Sequence, residues 1–275
     1  MDTKDIRLIA MDMDGTLLNN HQQISPGNLQ ALHQARDAGI HLAICSGRLP
    51  GDIAAFAVES GLTDCALLSL NGAYCLGGPG KAAFANHVLD RDVLERLHEI
   101  LAASGMTYGY FAQNTIAVFE GCVTLADAYW FSHMEGPYAP KLFHGESGLQ
   151  ALCKTGVNKL TCIADSQRHM DDVLKRIQAL PQLDLFMSWP LNLEIMPHGV
   201  GKGRAVAELT AHLGLTADQV MTLGDYDNDL SMISYAGLGV AMGNACQSVK
   251  DAARYVTLTN EEDGVACAIR RYALK

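Results

Sequence analysis

The sequence predicts an α/β fold, a mostly parallel sheet with helices on both faces, interrupted by an inserted second α/β domain. Three observations predict it. Short continuous apolar runs such as IRLIAM (6–11), IHLAIC (40–45) and VMTL (220–223) have the length of strands covered on both faces. They alternate with helix-like stretches near both ends of the 275-residue chain, a length that suits roughly two domains. Between those ends the pattern changes, beginning at the turn signal GGPG (77–80).

Taken in order, IRLIAM is the first strand. A helix is expected over 26–38, with Ser25 as N-cap, Pro26 at the first helical position, Leu29, Leu32 and Ala35 on one face, and Gly39 closing it. IHLAIC is the second strand, a helix follows at 50–60 before Gly61, and ALLSL (66–70) is the third strand. The middle of the chain reads as a helix near 90–104, strand-like stretches near 107–119 and 157–164, and a helix near 168–179. HMEGPYAPKLFHGESG (133–148) reads as loop. At the C-terminal end a helix at 203–213 stops at Gly214. VMTL, LGVAM (238–242) and YVTL (255–258) read as strands, and LSMISYA (230–236) as a helix. The expected division is 1–85 with 189–275 as one core, and 86–188 as the insertion.

Composition removes several function classes. Nearly half the residues are hydrophobic, the formal net charge is -10, and no Lys/Arg cluster is present. That argues against nucleic acid and against an anionic membrane surface. Eight cysteines show no C-x-x-C spacing and several lie in apolar runs, so they read as thiols of a reducing compartment. No H-E-x-x-H is present. The start MDTKDIRLIAMDMDG does not read as a leader, no apolar stretch has the length of a membrane span, and a cytoplasmic protein is expected.

Four motifs carry chemistry. Asp12 and Asp14 stand in DMDGT directly after the first strand, where two carboxylates are costly unless paired or bound to metal. In a strand, positions i and i+2 face the same way, so both carboxylates could address one site. Alone, the pair fits two surface acids in a turn equally well. Ser46-Gly47-Arg48 follows the second strand, and its hydroxyl and loop amides could hold a phosphate, although such a tripeptide is commonly just a turn. Lys202 lies in GVGKG before a helix. This is not a P-loop, because Gly203 follows the lysine. GDYDND (224–229) offers Asp225, Asp227, Asn228 and Asp229 after VMTL, an oxygen-rich set suited to a hard cation. It fails as an EF-hand at Leu230 and Ala236, and an acidic helix start is the plainer alternative. All four sit next to strand or helix ends and jointly supply what phosphoryl transfer needs: carboxylates, a hydroxyl, a lysine and a metal pocket.

With these residues in view, the chain resembles the haloacid dehalogenase superfamily of phosphatases, in particular the Cof-like branch with a type IIB cap. The resemblance rests on DMDGTLL (12–18), SGR (46–48), the Lys202 region and GDYDND. Asn71-Gly72-Ala73, Leu193-Glu194-Ile195, VAMGNA (240–245) and EDGVA (262–266) add branch-specific support. It implies a Rossmann-like core with an inserted α/β cap that sets specificity. It also implies roles. Asp12 is the nucleophile and forms an aspartyl phosphate; Asp14 is general acid and then base. Ser46, Gly47, Lys202 and Asn228 bind the substrate phosphate. Mg2+ is held by Asp12, the Asp14 backbone carbonyl and Asp225, with Asp229 supporting from behind. Ser46 stands where threonine is frequent, and Gly201 where a polar residue is usual. Asp227 is an extra acid without an assigned role. The implied partner is a small phosphorylated molecule. A sugar phosphomutase or a non-catalytic phospho-ligand sensor are the alternatives. The substrate and the oligomeric state are not readable. For Trp189, Asn192 and the loop at 133–148, core packing or plain loop is the simpler reading than substrate contact.

Overall fold

A computed structural model describes residues 5–123, 136–152, 154–180, 182–189 and 191–274. The chain first lays down β1 (Leu8–Met11), α1 (Pro26–Asp37), β2 (His41–Cys45), α2 (Pro50–Glu59), β3 (Ala66–Ser69), β4 (Tyr74–Leu76) and β5 (Ala83–Asn86). Next come α3 (Arg91–Ala102), β6 (Thr107–Ala112), β7 (Thr115–Phe119), β8 (Lys141–His144), α4 (Gly145–Leu152), β9 (Lys159–Ile163), α5 (Gln167–Ile177), β10 (Leu183–Trp189) and β11 (Asn192–Pro197). It finishes with α6 (Lys202–His212), β12 (Val220–Gly224), α7 (Leu230–Tyr235), β13 (Leu238–Ala241), α8 (Gln247–Ala252), β14 (Tyr255–Val256) and α9 (Gly264–Tyr272).

Two compact units result, Met1–Ala85 with Gly201–Lys275, and Asn86–Val200. The first holds an eight-stranded sheet in the order β14-β13-β12-β1-β2-β3-β4-β5, parallel from β14 to β3. Its central strand, β1, is buried along its whole length between β2 and β12. That explains the unbroken apolar run, since no residue of such a strand faces water. The α1 cap forms as its sequence requires: Ser25 Oγ accepts from the Asn28 backbone N–H at 3.1 Å.

The second unit holds a six-stranded sheet in the order β10-β11-β9-β6-β7-β8, antiparallel except for β7 with β8. Alternate residues of its central strands, Tyr108, Tyr110, Leu160, Cys162, Leu193 and Ile195, pack with Leu97, Leu101, Val173 and Ile177 of α3 and α5 in one core.

Three expectations change. The segment 136–148 is not plain loop, because β8 and α4 begin within it; residues 133–135 lie outside the described residues. β8 is an exposed edge strand, so it carries no burial pattern to read. Gly148 is a packing glycine: a Cβ there would meet Phe143 Cβ at 2.6 Å. The return to the first unit comes at Gly201 rather than 189, because β11 pairs with both β9 and β10. Trp189 and Asn192 are therefore paired strand residues of that second sheet. Finally, β14 is only Tyr255–Val256, at the sheet edge.

Of the cysteines, Cys45, Cys65, Cys75 and Cys162 are buried free thiols, and Cys122, Cys246 and Cys267 are partly buried. Burial pushes Cys65, Cys75 and Cys162 up to about 12, so they are inert at neutral pH. Among the described residues no helix is long and apolar enough to cross a membrane.

Candidate active site

The loops after β1 and β12 are neighbours because their strands are paired in parallel, and a parallel sheet opens a crevice at that edge. Asp12 stands first after β1, anchored by its backbone N–H to Leu223 O of β12 at 3.0 Å. Its carboxylate is buried and accepts from Lys202 Nζ at 2.5 Å. Lys202 opens α6, and its ammonium, only 1% exposed, donates also to Asp229 Oδ1 at 2.6 Å. The position of α6 is fixed by Gly203, where a Cβ would lie 2.6 Å from the Ser231 backbone; the Gly203 N–H instead donates to Ser231 Oγ at 3.0 Å.

Asp229 is buried and fully engaged. Its second oxygen accepts from the backbone N–H groups of Asp225 and Tyr226 at 2.9 and 3.1 Å, folding GDYDND back on itself. Asp225 accepts from Thr16 Oγ1 at 2.8 Å. Gly15 explains why DMDGT needs its glycine: φ is +78°, and a Cβ would sit 2.4 Å from Asp225 Oδ2. Asp227, unassigned from sequence, faces α8 and accepts from Ser248 Oγ at 2.5 Å and from Cys246 Sγ at 3.6 Å. It ties the acidic turn to the next helix.

Asp12, Asp225 and Asp229 each bring a carboxylate oxygen within 4.8 Å of the others. Burial pushes Asp12 well above the ordinary carboxylate range, Lys202 opposes that, and Asp229 and Asp225 add to it. Burial also raises Asp225, to about 6, against the Thr16 hydrogen bond. Burial works against the charge of Lys202, but Asp12 and Asp229 together outweigh it and hold the ammonium charged. Three carboxylates against one ammonium leave a buried deficit of positive charge. A hard divalent cation with oxygen ligands fits that donor set.

A second network lies on the next loop. Arg48 reaches both oxygens of Asp14, one at 2.8 Å through Nε and the other through Nη2, which also meets Gln22 Oε1. Its Nη1 donates to Asp52 Oδ2 at 3.1 Å. Burial raises Asp52 to about 6 even beside Arg48. Ser46 is buried, and its Oγ accepts from the Arg48 N–H at 3.2 Å. Gly47 passes close to Asn71, where a Cβ would be 3.1 Å from Oδ1. Asn228 lies half-buried in the turn Asp227–Asp229.

Direct contacts thus join Asp12, Lys202 and Asp229, with Asp225 beside them. Asp14 is held separately by Arg48. β1 ends at Met11, so strand alternation does not govern Asp12 and Asp14. Sequence reasoning passed over Arg48, Thr16, Asp52 and Asn244, whose Nδ2 donates to Gly15 O at 2.8 Å. The signals existed: Arg48 is the third residue of SGR and Asn244 belongs to VAMGNA.

A model of the haloacid dehalogenase-like hydrolases matches residues 9–269. The chain belongs to that family. This haloacid dehalogenase-like protein is 33% identical to the Bacillus subtilis 5-amino-6-(5-phospho-D-ribitylamino)uracil phosphatase YcsE, over 98% of this chain and 97% of that one. It is 29% identical to the putative phosphatase YxeH of the same organism, over 98% of each chain. A haloacid dehalogenase-like hydrolase from Bacteroides thetaiotaomicron superposes with a TM-score of 0.85 at 31% identity, covering 97% of this chain and 99% of that one. The subclass IIB sugar phosphatase BT4131 shares the fold, with a TM-score of 0.81 at 23% identity over 98% and 100% of the two chains. The haloacid dehalogenase-like protein is therefore an enzyme of the phosphatase type, in the Cof-like branch of its superfamily.

Proposed function

We propose that the enzyme is a Mg2+-dependent phosphatase that hydrolyses small phosphomonoesters, sugar phosphates or similar metabolites, through an aspartyl phosphate on Asp12. The observation that carries the proposal is the buried bridge of Lys202 between Asp12 and Asp229, with Asp225 completing a three-carboxylate cluster. Asp12 and Asp225 with the Asp14 backbone carbonyl would hold Mg2+, and Asp229 would support them. When bound, the ion supplies neutralisation of phosphoryl charge.

Asp12 attacks phosphorus with one carboxylate oxygen. The new O–P bond replaces the ester O–P bond, and Asp14 gives its proton to the departing oxygen. Water then attacks phosphorus, Asp14 takes its proton, and the bond to Asp12 breaks to release inorganic phosphate. Lys202, the Ser46 hydroxyl, the Gly47 amide and Asn228 bind the phosphoryl oxygens. Arg48 orients Asp14 between the two steps. The inserted unit, Asn86–Val200, selects among phosphomonoesters.

The test is a panel of phosphomonoesters, including the 5-phospho-ribitylamino compound named for the Bacillus relative, with and without chelator. Rapid acid quench should trap a hydroxylamine-labile phosphoryl label on Asp12 that decays to inorganic phosphate in buffer. Full turnover in chelator would overturn the metal requirement. A stable label that passes chiefly to an added sugar phosphate would make the enzyme a mutase.

A further inference from the structure

We propose that Cys122, Asp165 and His169, within the unit Asn86–Val200, form a second metal site, for a thiophilic divalent cation of the Zn2+ class. One donor atom from each of the three residues lies within 4.8 Å of the others. Cys122 follows β7, Asp165 follows β9, and His169 lies in the first turn of α5. They are therefore brought together by the tertiary fold and not by one short motif.

Asp165 and His169 alone would be an ordinary i,i+4 pair at a helix start, with Nδ1 of His169 3.0 Å from Asp165 Oδ1. Two further observations make the cluster a ligand set. The first is the hydrogen-bond inventory of His169. Its Nε2 lies 2.9 Å from the backbone carbonyl of Ser104, which can only accept, so Nε2 carries a hydrogen. Its Nδ1 faces Asp165 Oδ1 at 3.0 Å, an oxygen that also accepts from Ser166 Oγ at 3.1 Å. With the single N–H of a neutral imidazole on Nε2, the Nδ1 lone pair is the atom turned toward the Cys122 and Asp165 donors. A ring oriented by N–H to a backbone carbonyl, with the other nitrogen turned to a ligand cluster, is the usual arrangement of a metal-bound histidine.

The second observation is that Cys122 is held in place. Its N–H donates to Gly105 O at 2.9 Å. Buried Thr107 grips both neighbours: its Oγ1 accepts from Gly121 N at 2.9 Å and Val123 N at 3.2 Å, and donates to Val123 O at 2.5 Å. Gly121 lets the chain pass this closely, since a Cβ there would lie 2.3 Å from Met106 O. At present the thiol Sγ donates to Ile163 O at 3.3 Å, one strand end away from Asp165.

The donor set chooses the ion. Thiolate, imidazole and carboxylate together suit Zn2+ and exclude Mg2+, which takes oxygen ligands. Bonds of about 2.0–2.3 Å to a tetrahedral ion separate its ligands by roughly 3.3–3.8 Å, so the three donors need only small side-chain shifts. On binding, the proton of the Cys122 thiol goes to solvent while its sulfur stays as ligand, so uptake releases a proton. Three protein ligands leave one position for water.

The experiment uses the full chain in Mg2+-containing buffer, with Zn2+ content measured by elemental analysis after dialysis and Co2+ as a spectroscopic probe. Wild type and D12N should both retain one equivalent of Zn2+ and show a near-ultraviolet thiolate-to-Co2+ charge-transfer band. C122S and H169A should lose the band and bind Zn2+ more than about tenfold more weakly. Because D12N reports the three-carboxylate site, loss of binding in D12N alone would assign the ion there and overturn the inference. So would absence of Zn2+ binding by wild type, or binding unchanged in C122S and H169A. If those variants fail to fold, alkylation of wild type decides. Zn2+ should protect Cys122, located by peptide mass, from iodoacetamide; equal labelling with and without Zn2+ would overturn the site.

Discussion

Lys202 and Arg48 each hold a carboxylate of the loop after β1, and they hold them in different ways. Lys202 is buried and shares a compact charge between Asp12 and Asp229. Arg48 forks across both oxygens of Asp14, whose side chain is 48% exposed. A point charge without water suits a group whose position and ionisation must not change. A fork at an accessible acid suits a group that must exchange protons. In the proposed mechanism two acids two residues apart thus acquire different chemistry from the cations that face them.

The largest expected effect comes from breaking the buried side. D12N should lower turnover by about 10^4-fold or more on every phosphomonoester, because no nucleophile remains. D14N should cost about 10^2–10^4-fold on alkyl phosphates and markedly less on an activated aryl phosphate, whose leaving group needs little protonation. Equal losses on both classes for both variants would erase the proposed division of labour.

K202M tests the same contrast through stability. It leaves Asp12 and Asp229 buried without their cation, and should cost about 3–5 kcal/mol in metal-free buffer, with part of the loss restored by Mg2+. Denaturant melts of wild type and variant, each with and without Mg2+, check this. A destabilisation below about 1 kcal/mol would mean that the acids are already protonated or solvated.

Breaking the exposed side should do less. R48Q should reduce alkyl-phosphate turnover by about tenfold, and should add nothing to D14N, because Arg48 acts through Asp14. Additive losses in R48Q/D14N would give Arg48 a separate role.

The smallest effect concerns pH. Asp225 is raised to about 6 in the metal-free protein, above its ordinary 3.8. A carboxyl raised in the folded state stabilises it fully only below the unfolded value, and that contribution is lost as pH rises through about 6. Mg2+ needs the ionised form. The rise in melting temperature on adding Mg2+ should therefore be small near pH 5 and approach a plateau above about pH 7. A Mg2+ effect that is flat from pH 5 to 8 would remove Asp225 from the metal site.

The same contrast explains what could be read in the sequence. Strands such as β1, β2 and β12 have every residue buried or nearly so, and their apolar runs announce them. β8 is exposed along its length and β4 has only three residues, so neither leaves a pattern. That Asp12, Lys202, Asp225 and Asp229 come together was foreshadowed because acids directly after apolar strands, and a lysine among glycines before a helix, are anomalous. Arg48 and Thr16 were not, because a polar residue in a turn is ordinary until its partner is known. Asp52, buried on α2, has no partner in sequence proximity except Arg48, four residues back. The role of Asp227 needed α8, which no sequence signal had placed.

The hydrogen bond from Thr16 to Asp225 spans 209 residues of chain, and that of Asn260 to Leu18 spans 242. During synthesis Asp12 is made well before β12, which flanks it. Asn86–Val200 has its own sheet and apolar cluster and can close while the ribosome is still working. The nascent chain therefore carries Asp12, the proposed nucleophile, before the lysine and acids that would arm it have been made. High contact order delays the site, and keeps the proposed phosphoryl chemistry silent until β12 and the acids after it have been made.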